Sequence, residues 1–192
     1  MNKLLKILHL SDLHIDKDHL RDQRIVLGAL FKDIKNTVVA QGPYDLVFFT
    51  GDLIAKGAYS EANIDAVEKE FLLPLIEAAE IQPEQLFLVP GNHDINLTKQ
   101  SGLLAGAQKS LANEDEVAKY LGEAIKAGVD SGLEGFQNLV DKINMGTNAV
   151  LNNNHYRAYL LDIDGIKIGI GALNSAWGAT GAQSDGDYGK LR

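Results

Sequence analysis

Residues 86–94 read Leu-Phe-Leu-Val-Pro-Gly-Asn-His-Asp, an apolar run followed by a turn and three polar side chains. The apolar run predicts a buried strand, and Pro90-Gly91 marks the point where it ends. Asn92, His93 and Asp94 therefore lie at the carboxyl end of the strand. Because three consecutive side chains that bind metals or protons have no packing purpose on a turn, we expect them to belong to a functional site.

Two earlier segments have the same construction. One is an apolar run that ends in Asp12 and His14, and the other is an apolar run that ends in Gly51-Asp52. Ligands gather at the carboxyl ends of the strands in open α/β sheets. The sequence therefore predicts one shared site that draws side chains from all three strand ends.

Helical periodicity fills the intervals between these strands. Apolar residues recur at spacings of three and four over residues 18–41 and again over residues 60–79. Ser60 is the predicted N-cap of the second helix, and Pro74 predicts a kink or break within it. The resulting order β-α-β-α-β predicts a parallel sheet with helical crossovers.

Residues 95–154 differ in character and predict a helical insertion, with helices near residues 114–127 and 132–145. The insertion forms either a wall over the site or a peripheral subdomain. We expect it to lie inside a single domain that covers residues 1–192 and is truncated at its carboxyl end.

A hairpin is predicted after the insertion. Its strands are Tyr156–Ile163 and Ile166–Leu173, each an apolar run of eight residues. Asp164-Gly165 between them favours the tight turn that joins antiparallel strands.

The composition limits the chemistry. The chain contains no cysteine, so disulfides and thiolate metal sites are excluded and any metal must be held by oxygen and imidazole ligands. A formal net charge of -8 argues against a surface for duplex nucleic acid, which is normally basic. The charge is compatible with phosphate chemistry, because bound divalent cations reverse the local sign of a site.

The amino terminus does not have the pattern of a signal peptide, because Lys6 and His9 interrupt its apolar run. No run in the sequence approaches the roughly 20 apolar residues of a membrane helix. We therefore expect a cytoplasmic protein without membrane contact.

The side chains at the strand ends combine carboxylate, imidazole and amide groups, on Asp12, His14, Asp52 and Asn92. This donor set suits Mn²⁺, Fe or Zn²⁺ better than Ca²⁺, which prefers oxygen ligands alone. A carboxylate between two cations can bridge them at about 3.5–4 Å, and Asp52, from the middle strand, is the expected bridge. His93 is the expected general acid, with Asp94 beside it to orient the imidazole.

The ordered motifs resemble those of the calcineurin-like metallophosphoesterases: Asp12-x-His14, Gly51-Asp52-(four residues)-Gly57 and Gly91-Asn92-His93-Asp94. The resemblance covers residues 4–94 well, the hairpin loosely and the insertion not at all. It implies an α/β fold in which a β-sandwich is flanked by helices in αββα layers, present here as its amino-terminal part.

The resemblance also implies a two-metal phosphoesterase. Asp12 and His14 would bind the first metal, Asp52 would bridge, and Asn92 would bind the second metal. A metal-bridging hydroxide would attack phosphorus, and His93, with Asp94 in support, would protonate the leaving group. Two divalent ions are thus expected, with manganese the first choice and iron or zinc the alternatives.

One departure from the family pattern is informative. The pattern continues with a histidine after a later strand and then a Gly-His-x-His motif, and this sequence has neither. We expect that the chain continues beyond Arg192 in a longer protein, and that this part alone binds metal weakly or is inactive.

The leading hypothesis is a metal-dependent phosphoesterase that hydrolyses phosphodiesters or phosphomonoesters. No substrate is singled out among nucleotides, nucleic acids and phosphoproteins, and a nucleic acid lacks the support of a basic patch. The alternative is a non-catalytic phosphoesterase-like module that binds a partner within a larger multidomain protein. The missing later motifs favour that alternative, whereas the intact early motifs argue against it.

Overall fold

Two three-stranded sheets organise the chain in this computed structural model. The structure describes residues 4–99, 113–127, 132–143, 149–153 and 155–179. The first sheet comes from the amino-terminal half of the chain and the second from the hairpin region, so each sheet is built from a continuous part of the sequence.

The first sheet is parallel, with the strand order β1 (Ile7–Leu10), β2 (Leu46–Thr50) and β3 (Leu86–Val89). The predicted parallel arrangement is therefore confirmed. Strand β2 is central, and its residues Val47 and Phe49 are buried. Because all three strands run in one direction, their carboxyl ends lie at one edge of the sheet.

Helices cover one face of this sheet: α1 (Leu20–Gln41), α2 (Glu61–Val67) and α3 (Leu73–Ala79). Ser60 caps α2 as predicted, because its hydroxyl accepts a hydrogen bond from the backbone N–H of Asn63. The irregularity predicted at Pro74 takes the form of a π-helical turn, Glu68–Leu72, directly before α3.

The second sheet is antiparallel and consists of β4 (Ala149–Asn152), β5 (Tyr156–Ile163) and β6 (Ile166–Leu173). The predicted hairpin is confirmed with both strand boundaries. Asp164 and Gly165 have φ angles of 50° and 84°, as a two-residue turn between twisted strands requires.

The two sheets pack face to face, which confirms the predicted β-sandwich. The rings of Phe87 on β3 and Tyr159 on β5 lie 4.8 Å apart, and both side chains are buried. Leu46 and Ala172 complete the buried part of this interface. The opposite face of the second sheet exposes Leu160 and Leu173.

The predicted insertion contains two helices within the described residues, α4 (Glu114–Ala127) and α5 (Glu134–Lys142). The helical prediction was wrong for the carboxyl end of this range, because residues 149–152 form β4. Phe136 and Leu139 of α5 belong to the main hydrophobic core, so this helix is part of the packed structure. Within the described ranges, every helix is too short or too polar to cross a membrane.

Candidate metal centre

Three loops meet at the carboxyl edge of the parallel sheet. We call residues 11–16 the first loop, residues 51–57 the second loop and residues 90–94 the third loop. The backbone of the first loop runs beside the second, because Asp12 N donates to Gly51 O at 3.0 Å and His14 N donates to Asp52 O at 2.8 Å. This pairing places Asp12 and His14 next to Asp52, as the sequence predicted.

The backbone is strained where the site residues lie. Asp12, His14 and Asp52 have φ angles of 60°, 49° and 60°, in the left-handed region. This region costs an L-residue on the order of 1–2 kcal/mol, and such strain is typical of functional sites. The hydrogen bonds between the first two loops hold these residues in that conformation.

His14, Asp52 and His93 form a cluster in which one ligand atom of each lies within 4.8 Å of the others. His14 Nε2 is 3.8 Å from Asp52 Oδ2, and the two imidazole rings lie 4.7 Å apart and perpendicular. The backbone N–H of His93 donates to Asp52 Oδ1 at 2.9 Å, which ties the third loop to the second. All three side chains are partly buried.

Asp12 and Asn92, the other two predicted ligands, lie next to this cluster. Asp12 Oδ1 is 4.0 Å from His14 Nε2, but the Asp12 side chain is largely exposed and lies outside the three-residue group. Asn92 is partly buried and begins the 3₁₀ turn Asn92–Asp94, directly before His93. The role of each as a metal ligand stays a prediction.

The cluster has the donor chemistry and the spacing of a metal site. Nitrogen and oxygen ligands bind such ions at about 2.0–2.2 Å, so two ligand atoms on one ion are up to about 4.4 Å apart. The 3.8 Å between His14 Nε2 and Asp52 Oδ2 is within this limit. The ligand atoms of all three residues lie within 4.8 Å of one another, slightly more than the limit. One carboxylate and two imidazoles fit Mn²⁺, Fe or Zn²⁺.

Comparison with known proteins agrees with this geometry. A family model described as calcineurin-like phosphoesterase matches residues 5–168, which include the whole cluster and most of the chain. The chain belongs to the calcineurin-like phosphoesterase family. The resemblance found in the motifs is thus confirmed, and the α/β sandwich is consistent with the fold that the resemblance implies.

The individual relatives are distant. The chain is 26% identical over 117 residues to an uncharacterized metallophosphoesterase-like protein, YydB, of Bacillus subtilis (strain 168), a match covering 61% of this chain and 23% of that protein. It is 29% identical over 98 residues to an uncharacterized protein of Acanthamoeba polyphaga mimivirus, covering 50% of this chain and 7% of that protein. The chain thus spans less than a quarter of these relatives' length. No solved structure matches it significantly.

In this family member the Asp94 carboxylate holds the second and third loops together. Its side chain is fully buried at 0% exposure. It accepts hydrogen bonds at 2.8–3.1 Å from the backbone N–H groups of Asp52, Leu53, Ile54 and Gly91 and from the hydroxyl of Tyr59. Burial raises the pKa of Asp94, and these bonds oppose the rise. The predicted effect of Asp94 on the His93 imidazole stays a prediction.

Gly91 allows the close approach of the third loop to the second. A Cβ atom at this position would lie 2.2 Å from Asp52 Oδ1 and 2.5 Å from Asp52 N. These distances are too short for any side chain, so only glycine brings the backbone of His93 within hydrogen-bonding distance of Asp52. The glycine that opens the Gly91–Asp94 motif therefore has a steric role in the site.

Two supporting residues were not predicted from the sequence. Gln23 on α1 fixes the first loop, because its Nε2 donates to His14 O at 2.9 Å and its Oε1 accepts from Asp16 N at 3.3 Å. Tyr59 supports Asp94, and burial raises the tyrosine pKa well above its ordinary value, so the hydroxyl stays a donor. Neither residue belongs to a motif, so the sequence carries no local signal for them.

Proposed function

We propose that this chain is a metal-dependent phosphoesterase that hydrolyses phosphodiesters or phosphomonoesters. The observation that supports the proposal most is the cluster of His14, Asp52 and His93 at the carboxyl edge of the parallel sheet. Membership of the calcineurin-like phosphoesterase family supports the same reaction class.

The residues at the three strand ends divide into ligands and an acid. Asp12 and His14 would hold one divalent ion, Asn92 would hold the second, and Asp52 would bridge them. Two bound ions, with manganese preferred, supply Lewis-acid stabilisation of the phosphoryl group and lower the pKa of a water nucleophile.

His93 belongs to the cluster, and we assign it the role of general acid, with His14 and Asp52 as the ligands. Its backbone N–H donates to Asp52 at 2.9 Å, and a nitrogen of its imidazole lies within 4.8 Å of the same carboxylate, which would bridge the ions. A protonated imidazole there can give its proton to the leaving oxygen of the ester. We prefer phosphodiesters slightly, because an acid contributes most when the leaving group is a poorly stabilised alkoxide.

The test is hydrolysis of bis(p-nitrophenyl) phosphate and p-nitrophenyl phosphate with Mn²⁺, measured on this chain and on any longer natural form of the protein. We expect turnover that is lost on chelation. Asp52→Ala should lose bound metal and activity together. His93→Ala should keep the metal. Its turnover should fall by about 10²–10⁴-fold on a dialkyl phosphodiester, because the alkoxide that leaves needs a proton from the general acid.

The matched control is His19→Ala, because His19 is exposed and its imidazole lies 3.2 Å from Asp16, outside the cluster. This variant should retain full activity. Loss of metal from His93→Ala would make His93 a ligand, and unchanged turnover would remove it from the acid role. Absence of hydrolysis in every form with metal bound would favour the binding-module alternative.

A further inference from the structure

A cavity of about 390 Å³ lies between α1 and the first loop. Its walls are mainly apolar side chains from β1, α1, β2 and the π-helical turn, among them Leu10, Leu27, Leu30, Phe49 and Phe71. The volume is within the range of pockets that bind small organic molecules. The hydrophobic core therefore has an opening on this side of the sheet that is large enough for an aromatic ring.

The cavity adjoins the candidate metal centre. Asp12 forms part of its lining, and the carboxylate of the same residue lies 4.0 Å from His14 Nε2. A molecule whose phosphoryl group is bound at the metal centre can therefore extend an attached group past Asp12 into the cavity.

Charge limits what enters this cavity. Its charged lining residues, Asp12 and Asp22, are both acidic. With Asp12 assigned to a metal ion, Asp22 is the carboxylate that repels an anionic group. Gln23 also lines it, but its amide is already bonded to the backbone of the first loop at both ends. Apart from Ser11, the remaining lining residues are apolar, and they favour an uncharged group without strong hydrogen-bonding demands.

We infer that this cavity binds the uncharged, apolar organic group of the phosphoester substrate, an aromatic ring or a group of similar size. The inference rests on the proposed function, because it assigns the phosphoryl group to the metal centre. The substrate class is then an organic phosphoester whose non-reacting group is apolar. A polynucleotide does not fit, because the group next to its reacting phosphate carries further phosphate charges.

Two adjacent residues of α1 provide a matched pair of variants. Val26 lines the cavity and is 69% exposed, so a charge placed there changes the pocket without burying the charge. Ile25 is 72% exposed and is not part of the lining. Val26→Asp and Ile25→Asp therefore place the same charge on the same helix, inside and outside the proposed subsite.

The experiment compares phenyl p-nitrophenyl phosphate with methyl p-nitrophenyl phosphate in the presence of Mn²⁺. Both release the same p-nitrophenolate, so their kcat/KM ratio reports on the non-reacting group alone. We expect a preference for the phenyl ester on the order of 10- to 100-fold. Val26→Asp should lower this preference at least tenfold, as should Val26→Lys, whereas Ile25→Asp should retain it.

Equal kcat/KM values for the two esters, or a preference that Val26→Asp leaves unchanged, would overturn the inference and leave the phosphoesterase function intact. Absence of hydrolysis of both esters would count against the proposed function instead. In that case calorimetry tests the cavity separately. Phenylphosphonate should bind at least tenfold more tightly than methylphosphonate, and Val26→Asp should remove the difference. Equal binding of the two phosphonates would overturn the inference on its own.

Discussion

The two sheets of the sandwich differ in how their loops are held. At the edge of the parallel sheet, Asp94 joins the third loop to the second, in which its partners lie 40 to 42 residues away in sequence. Backbone hydrogen bonds join the first loop to the second. In the antiparallel sheet, the turn at Gly165 is closed by a hydrogen bond from its N–H to Asp162, three residues away. The candidate site lies at the edge with long-range connections.

This difference follows from the burial of the sheets. Strands β2 and β3 of the parallel sheet are covered by helices on one face and by the second sheet on the other, whereas Ile7 of β1 is 48% exposed. Among the residues that the structure describes, the antiparallel sheet packs on one face, and Leu160 on its other face is 69% exposed. We therefore expect substitutions in the loops at the carboxyl edge of the parallel sheet to lower the free energy of unfolding far more than equivalent substitutions in the hairpin.

The largest effect is expected for Asp94→Ala. The change leaves the backbone N–H groups of Asp52, Leu53 and Ile54 without their acceptor in a buried environment, at a cost of about 3–5 kcal/mol. Asp162→Ala, the hairpin control, removes one exposed turn hydrogen bond and should cost about 1 kcal/mol or less. Urea unfolding of both variants measures the difference, and similar losses would contradict the comparison.

The second largest loss of stability is expected at Gly91, with Gly171 as the control. Gly91→Ala places a Cβ against the backbone and carboxylate of Asp52, which should cost about 2–3 kcal/mol and displace the cluster. Gly171→Ala on β6 meets nothing within 4 Å, so its stability should be unchanged or raised by up to about 1 kcal/mol. Thermal unfolding ranks the two variants. A neutral Gly91→Ala would show that the second and third loops can separate at little cost.

A smaller effect is expected for Tyr59→Phe. This change removes the buried hydroxyl that donates to Asp94 Oδ1 at 2.8 Å, and the free energy of unfolding should fall by about 1–2 kcal/mol. Tyr156→Phe on β5 is the control, because Tyr156 is exposed, and it should change stability by less than about 0.5 kcal/mol. If the Tyr59 variant were equally stable, the hydroxyl would have no part in holding the loops.

The smallest change in stability is expected for an ion pair on the outer surface of the helices, between Arg24 and Glu70. Hydrogen bonds from Arg24, at 2.6 and 2.8 Å, lower the pKa of Glu70 below its ordinary value. A lowered pKa stabilises the fold above the unfolded value of about 4.3, and the contribution is lost as the pH falls through the folded value. Because Arg24 is well exposed, we expect about 1 kcal/mol or less.

Unfolding at pH 7 and pH 3 in the wild type and in Glu70→Gln tests this expectation. On acidification the free energy of unfolding should fall more in the wild type than in the variant, by about 1 kcal/mol or less. An equal loss in both proteins would mean that the ion pair does not contribute.

The sequence predicted those parts of the fold that have local causes. The end of β3 before Pro90 and the boundaries of the hairpin follow from apolar runs and from the turn at Asp164-Gly165, and the structure has the same boundaries. The proximity of His14, Asp52 and His93 was also predictable, because parallel strands bring their carboxyl ends to one edge.

The remaining features have causes that are distant in sequence. β4 lies in an asparagine-rich stretch with little strand pattern, and it forms because β5 offers it an edge to pair with. The role of Asp94 depends on N–H groups about 40 residues away, and Gln23 reaches the first loop from a helix. Adjacency in the sequence suggested that Asp94 acts on its neighbour His93, and gave no sign of its hydrogen bonds to the second loop.

The left-handed backbone at Asp12, His14 and Asp52 has a consequence for metal binding. A short peptide that carries only one of the motifs has no partner loop to hold these conformations, so it should not reproduce the site. The predicted ligands would reach their positions only when all three loops have folded against one another. Metal affinity and folding stability would then be thermodynamically linked, and an ion that bound only the native chain would raise its melting temperature by an amount that grows with the logarithm of the ratio of ion concentration to dissociation constant.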